Sequence, residues 1–228
     1  MKGVLIKNAR LVNEGSVEKR DVLVEGDIIK QISERIDTIP PNTMIIDAKN
    51  RFLMPGIIDD QVHFREPGLT HKADIGSESR AAVAGGITSF IEMPNTVPNA
   101  TTQKLLEEKF KIAQKVSLAN YSFMIGGTND NLEELLKTDG RKVAGIKLFL
   151  GSSTGNMLVD DEEALEKIFS STDLLIALHC EDETTIKNNL DKQKSVYGDD
   201  IPMAVSYTHL TLPTTWSRCW WRGGGGGG

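Results

Sequence analysis

Short apolar runs broken by turn-forming residues fill the first part of the chain. Three of these runs are rich in β-forming residues: "GVLIKNARLV", "DVLVEGDIIKQIS" and "MIIDAKNRFLMPG". The triplets Asn-Glu-Gly, Glu-Gly-Asp and Pro-Pro-Asn, which favour turns, interrupt them. The pattern predicts a small β module over residues 1–54.

From Gly56 onward, apolar runs alternate with helical segments. Five such β–α pairs follow one another: "GIIDDQVHF" with "IGSESRAAVAGG", "ITSFIEMPN" with "TTQKLLEEKFKIAQKV", "NYSFMIGGT" with "NDNLEELLKTDG", "VAGIKLFLG" with "DDEEALEKIFSS", and "LLIALHCED" with a polar helix beginning near Glu183. In the first helix, Ser77 is the expected N-cap and Gly85-Gly86 the expected stop. This alternation predicts a parallel sheet with helical crossovers, either an open doubly wound sheet or a (β/α)8 barrel.

The positions of the polar residues favour the barrel. Near the carboxyl ends of the predicted strands lie His63, Asn95, Thr128, Lys147 and His179. In barrel enzymes that rim is where the active site is built. We therefore predict an α/β fold over residues 55–204, a partial (β/α)8 TIM barrel. Because about five of the eight units are present, we expect the chain to be truncated at its C-terminal end.

Composition narrows the function classes. The chain has 228 residues and a net charge of −6, without a basic patch, which argues against nucleic-acid binding. Its N-terminus resembles neither a signal peptide nor a membrane span, so a cytoplasmic location is expected. The end of the chain, "VSYTHLTLPTTWSRCWWRGGGGGG", differs abruptly in composition from the rest. We interpret residues 205–228 as a non-native tail on a protein that stops near Ala204; a genuine disordered tail is the alternative.

Two histidines and a lysine are the candidates for metal chemistry. Neutral imidazole is a common ligand of catalytic metals, and His63 and His179 both lie at predicted strand ends; a structural role is the alternative for each. Lys147 lies within an apolar strand, where an ammonium is costly to bury. Its stem could extend to the rim to meet an acid, or burial could lower its pKa to give a reactive neutral amine that takes up carbon dioxide. The residues leave both readings open.

Two further residues suit recognition of a polar substrate. Arg65 follows His63 by two positions, so on a strand both point the same way. Its guanidinium could clamp a carboxylate with two hydrogen bonds or form an ion pair with Glu66. Asn95 could read a substrate through its amide or merely form an Asx turn.

Four motifs, in order, resemble dihydroorotases of the cyclic amidohydrolase superfamily, closest to a bacterial branch: "PGIIDDQVHFREPG", "AVAGGITSFIEMPNT", "GIKLFLGSSTG" and "HCED". The resemblance implies a barrel with a small β-sandwich built from both chain ends. It also implies metal-dependent interconversion of L-dihydroorotate and N-carbamoyl-L-aspartate in pyrimidine synthesis. One or two zinc ions are the expected cofactor.

The resemblance assigns roles residue by residue. His63 matches the second histidine of the family's Asp-x-His-x-His motif, Lys147 the carboxylated lysine, and His179 the metal-binding histidine after strand five. Arg65 and Asn95 match the residues that hold the substrate carboxylate. The sequence departs from the family at Gln61, which replaces the first histidine and offers only a weaker amide oxygen.

The family supplies a sixth-strand histidine and a general-base aspartate that are not found before Ala204. We therefore expect the 228-residue chain to be inactive alone, although its parent protein is an enzyme. The alternatives are a non-catalytic dihydroorotase-like subunit, which Gln61 favours, or another cyclic amidohydrolase such as allantoinase. The expected partner is a small-molecule substrate, with no nucleic acid or membrane; a homo-oligomer is compatible with this reading.

Overall fold

The computed structural model describes residues 3–151, 156–180 and 183–198. The chain divides into two compact units, with the boundary between Ile57 and Ile58. The chain end predicted near Ala204 and the tail predicted over residues 205–228 lie outside the described residues. None of the described helices combines the length and apolar character that crossing a bilayer requires.

The first unit is built on a five-stranded sheet in which β3, β2, β1 and β4 are neighbours in that order and β5 pairs with β1. The β1–β2 hairpin is antiparallel, and β4 and β5 run parallel to β1. At the hairpin turn, Glu14 and Gly15 have φ values of 47° and 78°, as a tight two-residue turn requires. The strands are β1 (Gly3–Asn13), β2 (Ser16–Glu25), β3 (Ile28–Ser33), β4 (Met44–Asp47) and β5 (Phe52–Leu53).

The second unit contains a curled, parallel half-barrel sheet with the strand order β10-β9-β8-β7-β6. Its strands are β6 (Ile57–Val62), β7 (Ile87–Glu92), β8 (Asn120–Gly126), β9 (Gly145–Phe149) and β10 (Ile176–His179). The helices that follow them are α1 (Ile75–Ala84), α2 (Gln103–Val116), α3 (Leu132–Leu136), α4 (Glu162–Ser171) and α5 (Glu183–Tyr197). The predicted α/β fold, with five β–α units after a small β module, is confirmed.

Side-chain caps fix where the helices begin. In α1, Asp74 is the N-cap, and its carboxylate accepts a hydrogen bond of 2.8 Å from the backbone N–H of Ser77. The prediction that Ser77 is the cap was therefore wrong. Asp74 has the extended backbone (φ −134°) that an N-cap needs. Ser77 instead lies in the first turn, where its N–H is one of the groups that a cap must satisfy. Thr102 caps α2 in the same way.

The core of the second unit is formed by strands and helices together, and its centre is aromatic. The Phe64 and Phe90 ring centroids are 4.6 Å apart, and Phe110 meets Phe123 edge-on at 4.8 Å. All residues of β9 are buried, as is typical of a parallel strand covered on both faces. A polar side chain on β9 is therefore buried from water on either face of the sheet.

Truncating Phe90 tests this core. Phe90 is 1% exposed, so Phe90→Ala leaves a cavity, and we expect the free energy of unfolding to fall by about 3–5 kcal/mol. Urea unfolding measures the loss. Leu118→Ala is the control, because Leu118 is 63% exposed and its loss should stay within about 0.5 kcal/mol. Equal losses in the two variants would contradict the central position of Phe90.

Candidate metal and substrate site

The candidate residues lie on four of the five parallel strands or directly behind them. His63 follows the last residue of β6, Lys147 is the central residue of β9, and His179 is the last residue of β10. Arg65 and Asn95 lie in the loops after β6 and β7. Because parallel strands end at one edge of their sheet, four of these side chains are placed along that edge and Lys147 within the sheet beside it.

His63 and Asn95 are in direct contact. His63 Nδ1 is 2.8 Å from Asn95 Oδ1. An amide oxygen only accepts hydrogen bonds, so Nδ1 carries the proton in this pair, and in the neutral ring Nε2 keeps its lone pair. A lone pair on Nε2 is what a metal ion binds, and a partner on the other ring nitrogen is what orients such a ligand.

The surroundings of His63 favour its neutral form. Burial lowers the pKa of His63, the bond to Asn95 opposes that shift, and the positive charges of Arg65, Lys147 and Lys109 lower the pKa further. Three basic side chains therefore lie close enough to act on one half-buried imidazole. A region with this charge attracts anions, and a neutral imidazole is the form that binds metals.

Lys147 is the most deeply desolvated of the candidates. The residue is 2% exposed, and burial lowers the pKa of its amine, while the charge of Cys180 opposes the shift. Its Nζ lies 5.2 Å from the centroid of the Phe149 ring. Within residues 3–151, 156–180 and 183–198, the ion pairs do not include Lys147. The alternative in which Lys147 extends to the rim and pairs with an acid therefore finds no carboxylate partner in that part of the chain.

Strand register relates His179 to Lys147. Lys147 pairs with Ala177, and Phe149 pairs with His179. Paired residues of neighbouring strands point to the same side of a sheet, and so do residues two apart on one strand. Lys147 and His179 therefore share one side, with His179 further toward the carboxyl end. The rings of His179 and Phe149 are in contact, with centroids 5.8 Å apart.

Backbone bonds hold the loop that carries Arg65. Arg65 has a φ of 68°, its carbonyl accepts from Leu69 N at 3.0 Å, and the carbonyl of Pro67 accepts from Val97 N at 3.1 Å. The Glu66 carboxylate accepts from Ile75 N at 2.9 Å. The anticipated alternative, an Arg65–Glu66 ion pair, is not found among the described ion pairs.

Gln61 lies in β6 and is exposed. It precedes His63 by two positions, but His63 follows the last residue of β6, so the alternation of the strand does not by itself fix their relative direction. Its side chain can offer a neutral carbonyl oxygen where a second imidazole would be a stronger ligand for a zinc-like ion.

The donors suit a divalent metal by their chemistry. Within the described part of the chain, no group of three or more His, Cys, Asp or Glu residues could hold a metal ion. The candidate set relies instead on two imidazoles and on Lys147, whose amine has no carboxylate partner there. Neutral imidazole is the form that binds such an ion, so the two histidines fit a divalent metal by their chemistry, and a desolvated amine is open to chemical conversion.

A buried ion pair lies beside this site, and the sequence pattern did not predict it. Glu92, the last residue of β7, and Lys109 of α2 form an ion pair of 2.6 Å, and each side chain is 1% exposed. One signal was present: Lys109 lies three positions after Leu106 and four before Ala113, on the apolar face of α2. A lysine on a buried helical face requires a partner.

Comparison with known proteins identifies the family. The family model described as dihydro-orotase-like matches residues 50–202, which is more than half of the chain. The chain belongs to the dihydro-orotase-like family. A dihydroorotase of Methanosarcina acetivorans is 34% identical over 213 residues, covering 92% of this chain and 43% of the relative. One of Carboxydothermus hydrogenoformans is 39% identical over 196 residues, covering 82% and 43%.

The solved structures agree with this family. An L-hydantoinase (dihydropyrimidinase) from Arthrobacter aurescens matches with a TM-score of 0.81 and 29% identity, covering 90% of this chain and 48% of that one. This match supports the barrel over the open doubly wound sheet. The chain spans about half the length of the relatives and structures it matches.

Two glycine substitutions test the loop packing in this member of the dihydro-orotase-like family. Gly68 has a φ of +83°, and a Cβ there would lie 2.0 Å from the Val97 carbonyl oxygen; Gly86 has a φ of +92° with nothing within 4 Å of its Cβ position. Both alanine variants carry the backbone cost of roughly 1–2 kcal/mol. Only Gly68→Ala adds a clash, which costs about a further 1–3 kcal/mol.

Denaturant unfolding measures the free energy of unfolding of the Gly68→Ala and Gly86→Ala variants, and the difference between the two values tests the packing. We expect Gly68→Ala to be the less stable variant by that additional amount. Equal stabilities would mean that the loop after β6 does not pack against the loop after β7 in the way described.

Proposed function

We propose that the chain belongs to a metal-dependent dihydroorotase, which interconverts L-dihydroorotate and N-carbamoyl-L-aspartate in pyrimidine synthesis. The observation that carries this proposal is the 2.8 Å contact between His63 Nδ1 and Asn95 Oδ1. It brings a residue suited to a metal next to one suited to the substrate carboxylate. The dihydroorotase names of the relatives from M. acetivorans and C. hydrogenoformans support the same activity.

Lys147 supplies the anionic ligand in this proposal. Burial lowers the pKa of its amine, which favours the neutral form with a lone pair on Nζ. That lone pair bonds to the carbon of carbon dioxide, one π pair moves onto oxygen, and one proton leaves the nitrogen. The product is a carbamate with two oxygen donors. His63 through Nε2, His179 and, more weakly, Gln61 complete the proposed set.

The proposed cofactor is zinc, as one or two ions. When bound, such an ion polarises the ring amide carbonyl and lowers the pKa of water. The chain's own residues orient and shield the proposed ligands. Asn95 fixes the tautomer of His63, and the buried surroundings of Lys147 exclude water from its amine. Because Gln61 is a weaker donor than imidazole, the position nearest to it should lose its metal first.

Arg65 and Asn95 select the substrate. A guanidinium binds a carboxylate through two parallel N–H···O bonds. The Asn95 oxygen is occupied by His63, so the Asn95 amide N–H2 group is the donor left for the carboxylate. The cations around His63 add a general attraction for an anionic ring.

A non-catalytic dihydroorotase-like subunit is the second candidate function, and Gln61 is the observation that favours it. The cytoplasmic location predicted from the sequence belongs to the main proposal. The two candidates differ in metal content, because a subunit that has lost catalysis has no need of a bound ion.

Carbon dioxide uptake and metal content test the site together. After incubation with 13C-bicarbonate and zinc, we expect a carbamate signal in the 13C spectrum and a near-stoichiometric metal content by mass spectrometry. Lys147→Arg keeps the positive charge but has no amine with a lowered pKa, so both signals should disappear. A chain that holds metal equally well with arginine at this position would refute the carbamate, and one without bound metal would favour the non-catalytic subunit.

Ligand discrimination tests the carboxylate clamp. We measure the Kd values of L-dihydroorotate and of dihydrouracil, the same ring without its carboxylate, by calorimetry on the zinc-loaded chain. Arg65→Met removes charge-assisted hydrogen bonds worth about 1.5–3 kcal/mol, so binding of L-dihydroorotate should weaken roughly 10- to 100-fold. Dihydrouracil binding should stay unchanged. Arg65→Lys, which keeps the charge but not the paired geometry, should lie between. Equal losses for both ligands would point to another cyclic amide, such as that of an allantoinase.

A further inference from the structure

The buried pair of Glu92 and Lys109 joins separate parts of the second unit. Glu92 ends β7, and Lys109 comes from the middle of α2; the atoms Oε2 and Nζ are 2.6 Å apart. Lys109 Nζ also donates to the Met93 carbonyl at 2.9 Å and lies 5.0 Å from the centroid of the Phe123 ring. The ammonium is thus held between the end of β7 and the core.

Glu92 reaches a third segment. Burial raises the pKa of Glu92, and the Lys109 charge and the backbone N–H groups of Arg65 and Phe64 oppose that shift. Neither Glu92 oxygen has a well-aligned hydrogen bond in the described part of the structure. The carboxylate charge is therefore balanced by the ammonium at 2.6 Å and by the N–H dipoles of the segment behind β6.

The segments that meet at this pair carry the two residues of the proposed carboxylate clamp. The backbone N–H of Arg65 lies close enough to lower the pKa of Glu92, and the backbone at the end of β7 is bonded to that of β6 through Met93 N and the Val62 carbonyl at 3.0 Å. The φ of Arg65, 68°, is uncommon for a non-glycine residue and persists where the surroundings enforce it. Met93, whose carbonyl accepts from Lys109, precedes Asn95 by two residues. The ion pair therefore acts on the backbone of Arg65 and, through Met93, on the segment that carries Asn95.

Stability alone does not account for such a pair. Removing two buried charges from water costs about as much as their attraction returns, and apolar residues of the same volume are often as stable. An ion pair also fixes the relative position of the two chain segments that carry the acid and the base, because each buried charge is stabilised only when the other lies close to it.

We propose that Glu92 and Lys109 are positioning residues that hold Arg65 and Asn95 in one relative placement, and thereby set the preference for a ring with a carboxylate. This inference rests on the proposed function, in which those two residues bind the carboxylate. Neither Glu92 nor Lys109 touches the substrate in this arrangement. Their effect passes through the backbone of the two loops.

The test separates positioning from stability with one single and one double variant. Glu92→Gln leaves the ammonium without its counter-charge and should lower both stability and ligand discrimination. Glu92→Leu/Lys109→Met removes both charges, so its stability should recover relative to the single variant, whereas discrimination should remain lost. Leu135→Ala is the matched control, because Leu135 is 0% exposed in α3 and makes no contact that the proposal uses.

Two readouts are taken on the full chain. The first is the ratio of the Kd of dihydrouracil to that of L-dihydroorotate in the zinc-loaded protein; we expect it to fall about tenfold in both Glu92 variants and to stay unchanged in Leu135→Ala. The second is the hydrogen exchange rate of the Arg65 amide in the metal-free protein. It should rise at least about tenfold in both Glu92 variants, but not in the control.

A double variant that regains discrimination along with stability, or that fails to fold at all, overturns the positioning role. If Arg65→Met also leaves the ratio unchanged, the proposed function fails instead. The Arg65 exchange rate then decides whether Glu92 holds that backbone: an increase supports the inference, and an unchanged rate overturns it.

Discussion

Burial of an amine inside a parallel strand is the constraint from which the chemistry of this chain follows. All residues of β9 are buried, so Lys147 cannot keep the hydration that an ammonium needs. In the described part of the chain no carboxylate forms an ion pair with it, which distinguishes it from Lys109, whose charge Glu92 balances at 2.6 Å. Two buried lysines thus lie in the same unit under different electrostatic conditions. Burial lowers the pKa of both amines, but the carboxylate of Glu92 opposes that shift at Lys109, and no carboxylate of the described residues does so at Lys147.

This difference decides the charge of the site. The Glu92–Lys109 pair is internally neutral, so the positive character around His63 is due chiefly to Arg65, and Lys147 adds to it only while its amine is protonated. The proposed conversion of the Lys147 amine into a carbamate would place an anion where that amine lies. A divalent ion would then restore the positive charge, and Arg65 would remain as the cation that meets a ring carboxylate. In the proposed site, the same set of side chains would therefore suit a metal and an anionic substrate at once.

Periodicity predicted the elements of this fold but not all of the contacts between them. The alternation of apolar and helical segments predicted five β–α units, because each strand is long enough to show its own pattern. An open sheet and a barrel share that alternation, and the curl of the sheet distinguishes them. The cap of α1 was misassigned because Asp74 and Ser77 are both good capping residues and only backbone conformation decides between them. The Glu92–Lys109 pair was missed because it joins a strand end to a helix, through packing that a linear pattern does not contain.

Gln61 departs from the family pattern without disturbing this balance of charge. A glutamine oxygen and an imidazole nitrogen are both neutral donors, so exchanging one for the other leaves the net charge around a bound ion unchanged. What changes is the softness of the donor: an amide oxygen binds hard ions relatively better, and imidazole binds zinc-like ions better. The exposure of Gln61 leaves water free to compete at this position, which weakens the donor further. In the proposed site, the departure therefore acts on the strength and selectivity of metal binding, while the surroundings of His63 and Lys147 do not depend on it.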